Sequence, residues 1–237
     1  MLKNVTVSLN AGRWQVTFCC EHERHVGTHQ GSAVGADLGV SDTVTLSTGE
    51  HLSLPMERIH VLKRQRKRAQ RVVARGRRGS HRNRRAKLRA AKISARIGRI
   101  RRHWPHETSK ELSERFSVVV FEDLKIRNMT ARLNEAILDQ CWGELVRQTN
   151  DKLEERGGHA ALVNSRGTSQ ACSSCGHRDP ESRKSQAVFR CVACSDDLHA
   201  DVNAARTILR RWSTPLPDVD GSCLKHPDEA STRQVAA

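Results

Sequence analysis

Four cysteines in two C-x-x-C pairs constrain the fold of this chain more than any other feature. Cys172 pairs with Cys175, Cys191 pairs with Cys194, and fifteen residues separate the two pairs. This spacing is typical of a four-cysteine zinc ribbon, in which thiolates bind one ion tetrahedrally. Asp201 follows the last cysteine by seven residues and opens an apolar-patterned helix. A purely structural zinc site needs no carboxylate beside it, so the ribbon is predicted to position a residue that takes part in chemistry.

The other cysteines and the hydropathy pattern indicate a reducing compartment. Cys19, Cys20, Cys141 and Cys223 are scattered rather than paired. No apolar run near the N-terminus resembles a signal peptide, and none is long enough to span a bilayer. Without a secretory context, paired cysteines are more often metal ligands than disulfides. We therefore expect structural Zn²⁺ in a cytoplasmic, nucleoid-associated protein, with the nearby His177 and His199 flanking the thiolates rather than replacing them.

Positive charge is concentrated in one segment of the chain. The sequence has 41 Lys and Arg against 26 Asp and Glu, and residues 58–106 hold 20 of the basic residues and no acidic one. A segregated cationic segment indicates a polyanionic partner, and nucleic acid is the leading candidate. Aromatic residues make up only 3% of the chain, so base stacking is limited. Contacts are expected mostly to phosphate, although a solvated helix face is the alternative.

The order of predicted elements indicates an α/β fold. Alternating residues on both sides of Asn10, Ala11 and Gly12 predict a β-hairpin, and three further short strands precede Pro55. Residues 56–115 predict a helical hairpin whose loop is Gly76 to Ser80. A buried strand, a helix over 132–156, a further strand, the cysteine hairpin and a helix over 201–212 follow. Three strands followed by alternating helix and strand is the order of the ribonuclease H-like fold.

Three carboxylates fall at the edges of these elements. Asp37 lies on the first central strand, Glu122 ends the apolar run "VVVFE", and Asp201 starts the last helix. Taken singly, each has an ordinary explanation as a strand-end acid, a solvated acid or an N-cap. Brought together, they repel one another unless divalent cations intervene. Hard oxygen ligands favour Mg²⁺ or Mn²⁺, and two such ions roughly 3.5–4 Å apart support phosphodiester cleavage.

Several ordered motifs resemble the signatures of the TnpB family. They are "GADLGV", "FSVVVFEDLKIRNM", "TSQACSSCG", "CVAC" and "HADVNAARTIL", and the match runs from about residue 30 to residue 210. The family comprises transposon-encoded, RNA-guided DNA endonucleases with a RuvC-like domain, which are related to type V CRISPR effectors and were long labelled transposases. Thr207 and Ser195 stand where the family often has Asn and Gly.

The resemblance implies a site and partners for this chain. It implies DNA as the substrate, a guide RNA as a partner, catalytic Mg²⁺ or Mn²⁺, and structural Zn²⁺. The implied catalytic metal ligands are Asp37, Glu122 and Asp201, and the implied zinc ligands are Cys172, Cys175, Cys191 and Cys194. The predicted nucleic-acid-binding residues of the basic hairpin are Arg77, Arg78, Arg82, Arg84 and Arg85.

We accordingly divide the chain into five parts. Residues 1–28 are interpreted as a remnant of an N-terminal wedge β-hairpin, and residues 29–170 as a RuvC-like nuclease core that includes the basic helical hairpin, 56–115. Residues 171–197 form the zinc ribbon, residues 198–212 the last RuvC-like helix, and residues 213–237 a disordered tail. The predicted fold class is thus α/β, with a ribonuclease H-like mixed sheet, an inserted basic helical hairpin and a four-cysteine ribbon.

Three functions stay open at this point. The first is a metal-dependent DNA endonuclease guided by RNA, as in the family. The second is a truncated remnant of such a protein, with an intact nuclease domain but little surface before Asp37 to hold a guide and target. The third is a non-catalytic zinc-ribbon protein that binds nucleic acid. Retention of all three carboxylates disfavours the third, because a pure binder gains from losing negative charge near phosphate.

Overall fold

A mixed β-sheet forms the centre of the computed structural model, which describes residues 1–23, 26–124 and 140–214. The strands are β1 (Leu2–Asn10), β2 (Arg13–Cys20), β3 (Ser32–Asp37), β4 (Val44–Leu46), β5 (His51–Leu52), β6 (Phe116–Asp123), β7 (His159–Asn164), β8 (Val188–Arg190) and β9 (Asp197–His199). The main helices are α1 (Met56–Arg75), α2 (His81–Arg115), α3 (Trp142–Glu155) and α4 (Ala200–Ser213). The predicted element order is confirmed; the first part of the predicted helix over 132–156 and most of the predicted tail lie outside the described residues.

The central sheet has the strand order β5-β4-β3-β6-β7. Strand β3 pairs antiparallel with β4, and β4 pairs antiparallel with β5. By contrast, β3 pairs parallel with β6, and β6 pairs parallel with β7. Parallel pairing brings the carboxyl ends of β3 and β6 to the same edge of the sheet. The mixed α/β class is therefore confirmed, and two of the predicted carboxylates end neighbouring strands.

The two faces of the sheet are covered by different helices, since successive side chains of a strand alternate between faces. One face packs against α2 and α3 in the main core. That core consists of Val34, Ala36, Val44, Leu46, Leu112, Phe116, Val119, Phe121, Leu145 and Leu153. The other face, with Val118 and Val120, packs against Ile208 and Leu209 of α4. The described residues thus form a three-layer arrangement in which α4 covers the second face.

Helix α4 approaches β3 closely because Gly35 has no side chain. A Cβ atom at Gly35 would overlap the backbone carbonyl oxygen of Ala205 and would crowd Leu209. The glycine of the "GADLG" motif therefore has a packing reason, since a backbone atom cannot move aside as the tip of a flexible side chain can. This contact sets the height of α4 above the sheet and the position of Asp201, which lies in its first turn.

The helical hairpin is held by an apolar seam and by a capped loop. Residues Ile59, Leu62 and Ile97 are buried between α1 and α2, with Ile93, Ile100 and Trp104 packed against them. The Ser80 hydroxyl accepts a hydrogen bond from the backbone N–H of Asn83 and caps α2. The Asn83 side chain donates to the carbonyl of Val73, which closes the loop between the helices. The predicted loop and the predicted apolar stripe on α2 are both confirmed.

The hairpin of β1 and β2 forms a separate two-stranded sheet with one apolar face exposed. Its register pairs apolar residues with one another along that face and polar residues along the opposite face. The six apolar residues are between 43% and 73% exposed; they are Val5, Val7, Leu9, Trp14, Val16 and Phe18. A two-stranded hairpin is marginally stable alone, and an exposed apolar patch of this kind marks a contact surface.

Among the described helices, none is long and apolar enough to cross a membrane.

Replacing Gly35 by Ala is expected to destabilise the protein by about 3 kcal/mol or more, at the upper end of the cost of overpacking, because backbone must move. The measurement is the midpoint of urea unfolding. Gly98→Ala is the matched control, since a Cβ there meets nothing within 4 Å, and this change should stabilise α2 by up to about 1 kcal/mol. Equal midpoints for the two variants would contradict the role given to the close approach of α4.

Candidate functional site

The four paired cysteines converge on one point. Their sulfur atoms all lie within 4.8 Å of one another, with Cys172 Sγ 3.7 Å from Cys194 Sγ and Cys175 Sγ 3.6 Å from Cys191 Sγ. Tetrahedral Zn–S bonds of about 2.3 Å require S···S separations of about 3.8 Å, so the cluster fits a zinc ion. A disulfide needs about 2.05 Å, which these separations exclude. Neither His177 nor His199 belongs to the cluster, as predicted.

Each C-x-x-C pair sits in a tight turn that directs backbone N–H groups at the sulfurs. The Cys194 backbone N–H is the main group that lowers the pKa of Cys191, to about 6. Burial raises the pKa of Cys172, and, against the lowering effect of the Asp196 backbone N–H, contacts with Cys175 and Cys191 raise the pKa of Cys194. One sulfur thus ionises readily, and a bound cation would favour the thiolate form of the others. The turns end at Gly176, with φ of 80°, and at Ser195, with φ of 62°. A left-handed backbone explains why Gly is frequent at the position of Ser195, and the serine adopts it at some cost in strain.

Helix α4 holds the ribbon to the rest of the fold. The buried Asn203 side chain accepts a hydrogen bond from Ser173 N and donates one to the Ala171 carbonyl oxygen. The Thr207 hydroxyl donates to the same carbonyl oxygen. One face of α4 thus binds the first cysteine turn, while the first turn of the same helix carries Asp201. The close sequence spacing between the ribbon and Asp201 therefore has a structural meaning, because both are fixed by one rigid element.

The predicted carboxylates lie at one edge of the central sheet. The register pairs Ala36 with Phe121, which places the next residues, Asp37 and Glu122, side by side. Their carboxyl groups are in hydrogen-bonding contact, and Glu122 is only 9% exposed. The charge of Asp201 acts on Asp37 across the gap between the sheet and α4. The structure therefore brings the three residues into one region, as the strand order predicted.

The environment of Asp37 opposes its ionisation. Burial is the main cause that raises the pKa of Asp37, to about 9, and the hydrogen bond and charge of Glu122 and the charge of Asp201 add to it. The positive charge of Arg183 acts in the opposite direction. The neighbouring carboxylates help to keep this carboxyl group protonated. A cation bound beside it would favour the ionised form. The three oxygen donors thus have the chemistry that suits Mg²⁺ or Mn²⁺.

Asp201 is bound to an arginine rather than turned fully to the other two acids. Its Oδ1 atom accepts a hydrogen bond of 3.3 Å from Arg183 Nη2, a residue of the ribbon. Among the described residues, one group of three or more His, Cys, Asp or Glu side chains lies close enough together to share an ion. That group consists of the four paired cysteines. The N-cap of α4 is His199, so capping does not explain Asp201.

Two residues of this region were missed by the sequence reasoning. The Thr168 hydroxyl donates to Glu122 Oε1 at 3.3 Å, and Arg183 contacts Asp201. Thr168 lies within the quoted segment "TSQACSSCG", so its neighbourhood was signalled by the motif although its role was not. Arg183 lies between the two cysteine pairs in a stretch rich in charged residues, and nothing in the pattern separates it from its neighbours.

The predicted nucleic-acid-binding residues lie together at the tip of the helical hairpin. Arg77 and Arg78 belong to the loop between α1 and α2, and Arg82, Arg84 and Arg85 to the first turns of α2. All five side chains are exposed. The tip therefore presents a surface of guanidinium groups, which is the geometry that suits contact with phosphates.

The fold, the carboxylates at one edge of the sheet and the four-cysteine cluster together define a class of protein: a mixed α/β chain in which the helix that carries Asp201 also holds the cysteine ribbon. The fold is similar to that of Cas12f1, seen by cryo-EM in a complex with sgRNA and target DNA. The TM-score is 0.53 at 19% identity, and the likeness covers 86% of this chain and 55% of that chain. At this identity the likeness concerns the fold alone.

Family models and curated relatives agree on one group. The OrfB_IS605 model, described as "Probable transposase", matches residues 17–133, and the "Cas12f1-like, TNB domain" model matches residues 142–208. The chain is 35% identical over 227 residues to InsQ of Escherichia coli (strain K12), and 34% identical over 209 residues to a relative in Streptomyces pristinaespiralis. Both relatives are named RNA-guided DNA endonucleases. The chain thus contains an OrfB_IS605 region and a Cas12f1-like TNB region, and it is similar to RNA-guided DNA endonucleases of the TnpB family.

The matches differ in how much of each protein they include. They cover 88% and 86% of this chain but only 56% of InsQ and 52% of the Streptomyces relative. The chain therefore spans about half the length of the curated relatives that it matches.

Asp37→Asn is expected to stabilise the protein at pH 8 in metal-free buffer by at least about 3 °C in Tm, and to change little at pH 4.5. The raised pKa means that the folded state keeps a proton that the unfolded chain releases above its ordinary value of 3.8. Stability is therefore lost as pH rises from about 4 towards about 9, and a neutral amide removes this loss. Added Mn²⁺ should raise the Tm of the wild type only. A Tm difference independent of pH would contradict this account.

Proposed function

We propose that this chain is the catalytic part of a metal-dependent DNA endonuclease with a ribonuclease H-like, RuvC-like fold, which in its full setting acts under RNA guidance. The strand order β5-β4-β3-β6-β7, with the first three strands antiparallel and the others parallel, supports the fold proposal. The names of the two relatives, both RNA-guided DNA endonucleases, support the activity. Structural Zn²⁺ in the ribbon and Mg²⁺ or Mn²⁺ at the carboxylates are part of the proposal.

One observation carries the catalytic assignment: Asp37 and Glu122 end adjacent parallel strands, and Asp201 faces them from the helix packed on the same side. Burying acids beside one another costs free energy in a protein without a cation. A purely structural sheet edge would gain from an apolar residue at Asp37. The arrangement is therefore best understood as a site whose stable state includes divalent cations.

In this proposal the protein's own residues position the reaction. Divalent ions, when bound, supply an activated water and stabilise the leaving oxygen of a phosphodiester. Asp37 and Glu122 hold them from rigid strand ends, while Asp201 approaches from α4. The Thr168 hydroxyl orients Glu122 by its hydrogen bond to Oε1. Because Asp37 keeps its proton at neutral pH until a cation arrives, cation binding releases a proton and depends on pH.

Arg183 is proposed to contact the DNA phosphate next to the carboxylates. Its side chain is about one-quarter exposed and donates a hydrogen bond from the ribbon to Asp201. If Asp201 were to bind a cation, the Arg183 guanidinium would lose this partner and could bind a DNA phosphate instead. A planar guanidinium can then donate two hydrogen bonds to phosphate oxygens, which an ammonium cannot match in geometry. The ribbon would in this way contribute to the site as well as hold it.

Single substitution of Asp37, Glu122 or Asp201 by Ala is expected to reduce Mn²⁺-dependent cleavage of single-stranded DNA by at least about 1,000-fold, since several kcal/mol of transition-state stabilisation is lost. The measurement is the initial rate with a labelled oligonucleotide. Asp123→Ala is the matched control, because Asp123 is the exposed acid beside Glu122 on the same strand, and its rate should match the wild type. Persisting activity in Asp201→Ala would refute the assignment.

Replacing the five tip arginines by Ala is expected to weaken nucleic-acid binding equally for unrelated sequences. Each lost phosphate contact should flatten the slope of log K against log salt by about one unit, because fewer counterions are released. Fluorescence anisotropy at several salt concentrations measures the slope. As a control, replacing Arg13, Arg147 and Arg190 by Ala should leave the slope unchanged, because these exposed residues lie outside the helical hairpin. An unaltered slope in the five-fold variant would mean that the tip is only solvated.

The surface needed to hold a guide is proposed to lie largely outside this chain. A heteroduplex of about 20 base pairs requires an enclosing channel, whereas the chain matches about half of its relatives' length. The exposed apolar face of the β1–β2 hairpin supports this view, since six apolar side chains have no cover within the described residues. The part of the relatives' length that this chain does not match is therefore proposed to supply that surface.

The isolated chain is accordingly expected to cleave weakly and without guidance, with a preference for single strands that reach the carboxylates without duplex opening. The test incubates the purified chain with RNA transcribed from its own genomic flank and a plasmid library that carries the matching target. Sequencing of the ends measures guided cutting. Guide-dependent double-strand breaks by this chain alone would show that the residues present suffice to hold a guide, and would leave the nuclease assignment in place.

A further inference from the structure

A histidine extends the row of carboxylates across the sheet. The register pairs Asp37 of β3 with Thr45 of β4, and Thr45 with His51 of β5. Directly paired residues point to the same face of a sheet. His51 therefore lies on the face that carries Asp37 and that α4 covers, two strands from the carboxylate. It belongs to none of the motifs discussed above.

The imidazole of His51 is fixed from the side of the sheet. Its Nδ1 atom lies 3.1 Å from Asp42 Oδ2 and 3.2 Å from Thr45 Oγ1. Asp42 is itself held by the Ser53 hydroxyl, which donates to Oδ1 at 2.8 Å. A ring whose nitrogen is bound on one side by an oriented carboxylate has one preferred orientation. Its other edge is left to face the ribbon.

That edge meets the residue that begins α4. The His51 and His199 rings pack edge to face, with centroids 5.1 Å apart at an angle of 87°. His199 ends β9 and is the N-cap residue of α4, two positions before Asp201. A second contact lies close by, where Gln186 Nε2 donates to Ser41 Oγ at 2.6 Å. The ribbon is thus joined to the core at the point where its last strand becomes the helix.

We propose that His51 is a positioning residue that seats the first turn of α4, and thereby Asp201, over the Asp37–Glu122 pair. This inference rests on the proposed function. The later part of α4 is fixed by Gly35, while its first turn is held from the ribbon side by Asn203, by the bond from the Ala200 N–H to the Ala187 carbonyl oxygen, and by Arg183, which is expected to leave Asp201 when a cation binds. His51 packs on the cap from the core side, independently of that exchange.

A role in general stability does not explain the arrangement as well. The side chain of His51 is one-third exposed, and so is that of Asp42. Removing a ring that is one-third exposed leaves no enclosed cavity, so the global stability should change little. What changes is the freedom of the helix start. Groups that orient metal ligands from behind typically alter metal affinity by 10–100-fold when removed, which provides a measurable signature.

The experiment compares His51→Ala, His51→Phe and the control Thr48→Ala in the full chain. Thr48 is exposed on the turn between β4 and β5 and touches neither ring. Mn²⁺ bound at the carboxylates is measured by the loss of the free-ion EPR signal, with Asp37→Ala defining other sites. Hydrogen exchange at the amides of residues 200–204 reports the first turn of α4 without any metal.

His51→Ala should raise the Mn²⁺ concentration at half-saturation by about tenfold or more and speed exchange at residues 200–204. His51→Phe should weaken Mn²⁺ binding less than His51→Ala does, because it keeps the edge contact with His199 although it loses the bond to Asp42. An unchanged Mn²⁺ midpoint in His51→Ala, or equal weakening in the Phe variant, would overturn the positioning role. If wild type binds no more Mn²⁺ than Asp37→Ala, the proposed function fails, and faster exchange in His51→Ala would still support the contact.

Discussion

Helix α4 can lie across β3 because Gly35 presents no side chain where the two backbones come closest, and the other features of the site follow from that contact. The helix brings Ile208 and Leu209 onto the second face of the sheet and fixes Asp201 relative to the strand that ends in Asp37. A bulkier residue at position 35 would lift the whole helix. The position of a carboxylate is therefore set by a glycine on a different element.

The same helix explains why a cysteine ribbon lies beside a carboxylate. Asn203 and Thr207 bind the first cysteine turn, so a metal held by the four thiolates stiffens the segment that leads into α4. The ribbon touches the core again through the His51–His199 pair and through the bond from Gln186 to Ser41. It also supplies Arg183 to the carboxylate region. The ribbon is thus proposed to be part of the site's framework and to contribute one of its side chains.

Charge is distributed in a way that suits a polyanionic substrate. Basic residues of the helical hairpin form an exposed tip, whereas the acids meet in a cluster where burial, and to a lesser degree the neighbouring acids, raises the pKa of Asp37. In the proposed function, cations convert that cluster from a source of instability into the place where phosphate is cleaved. Stability is given up for activity at Asp37, as is common at functional sites.

The sequence by itself determined the element order and the cysteine cluster, because both rest on local spacing: period two in strands, period 3.6 in helices, and C-x-x-C turns. The three carboxylates were predicted from the strand order and the family resemblance, and their role is part of the proposed function. The helical stripe of Ile93, Ile97, Ile100 and Trp104 was likewise legible along the chain. Only the tertiary structure decided that Arg183 reaches Asp201, that His51 meets His199, and that Gly35 faces Ala205. The two members of a pair lie far apart in sequence, or nothing in the local pattern distinguishes them from neighbouring residues. Side-chain contacts across three layers depend on strand register and on the height of the helix above the sheet, and no local pattern encodes these.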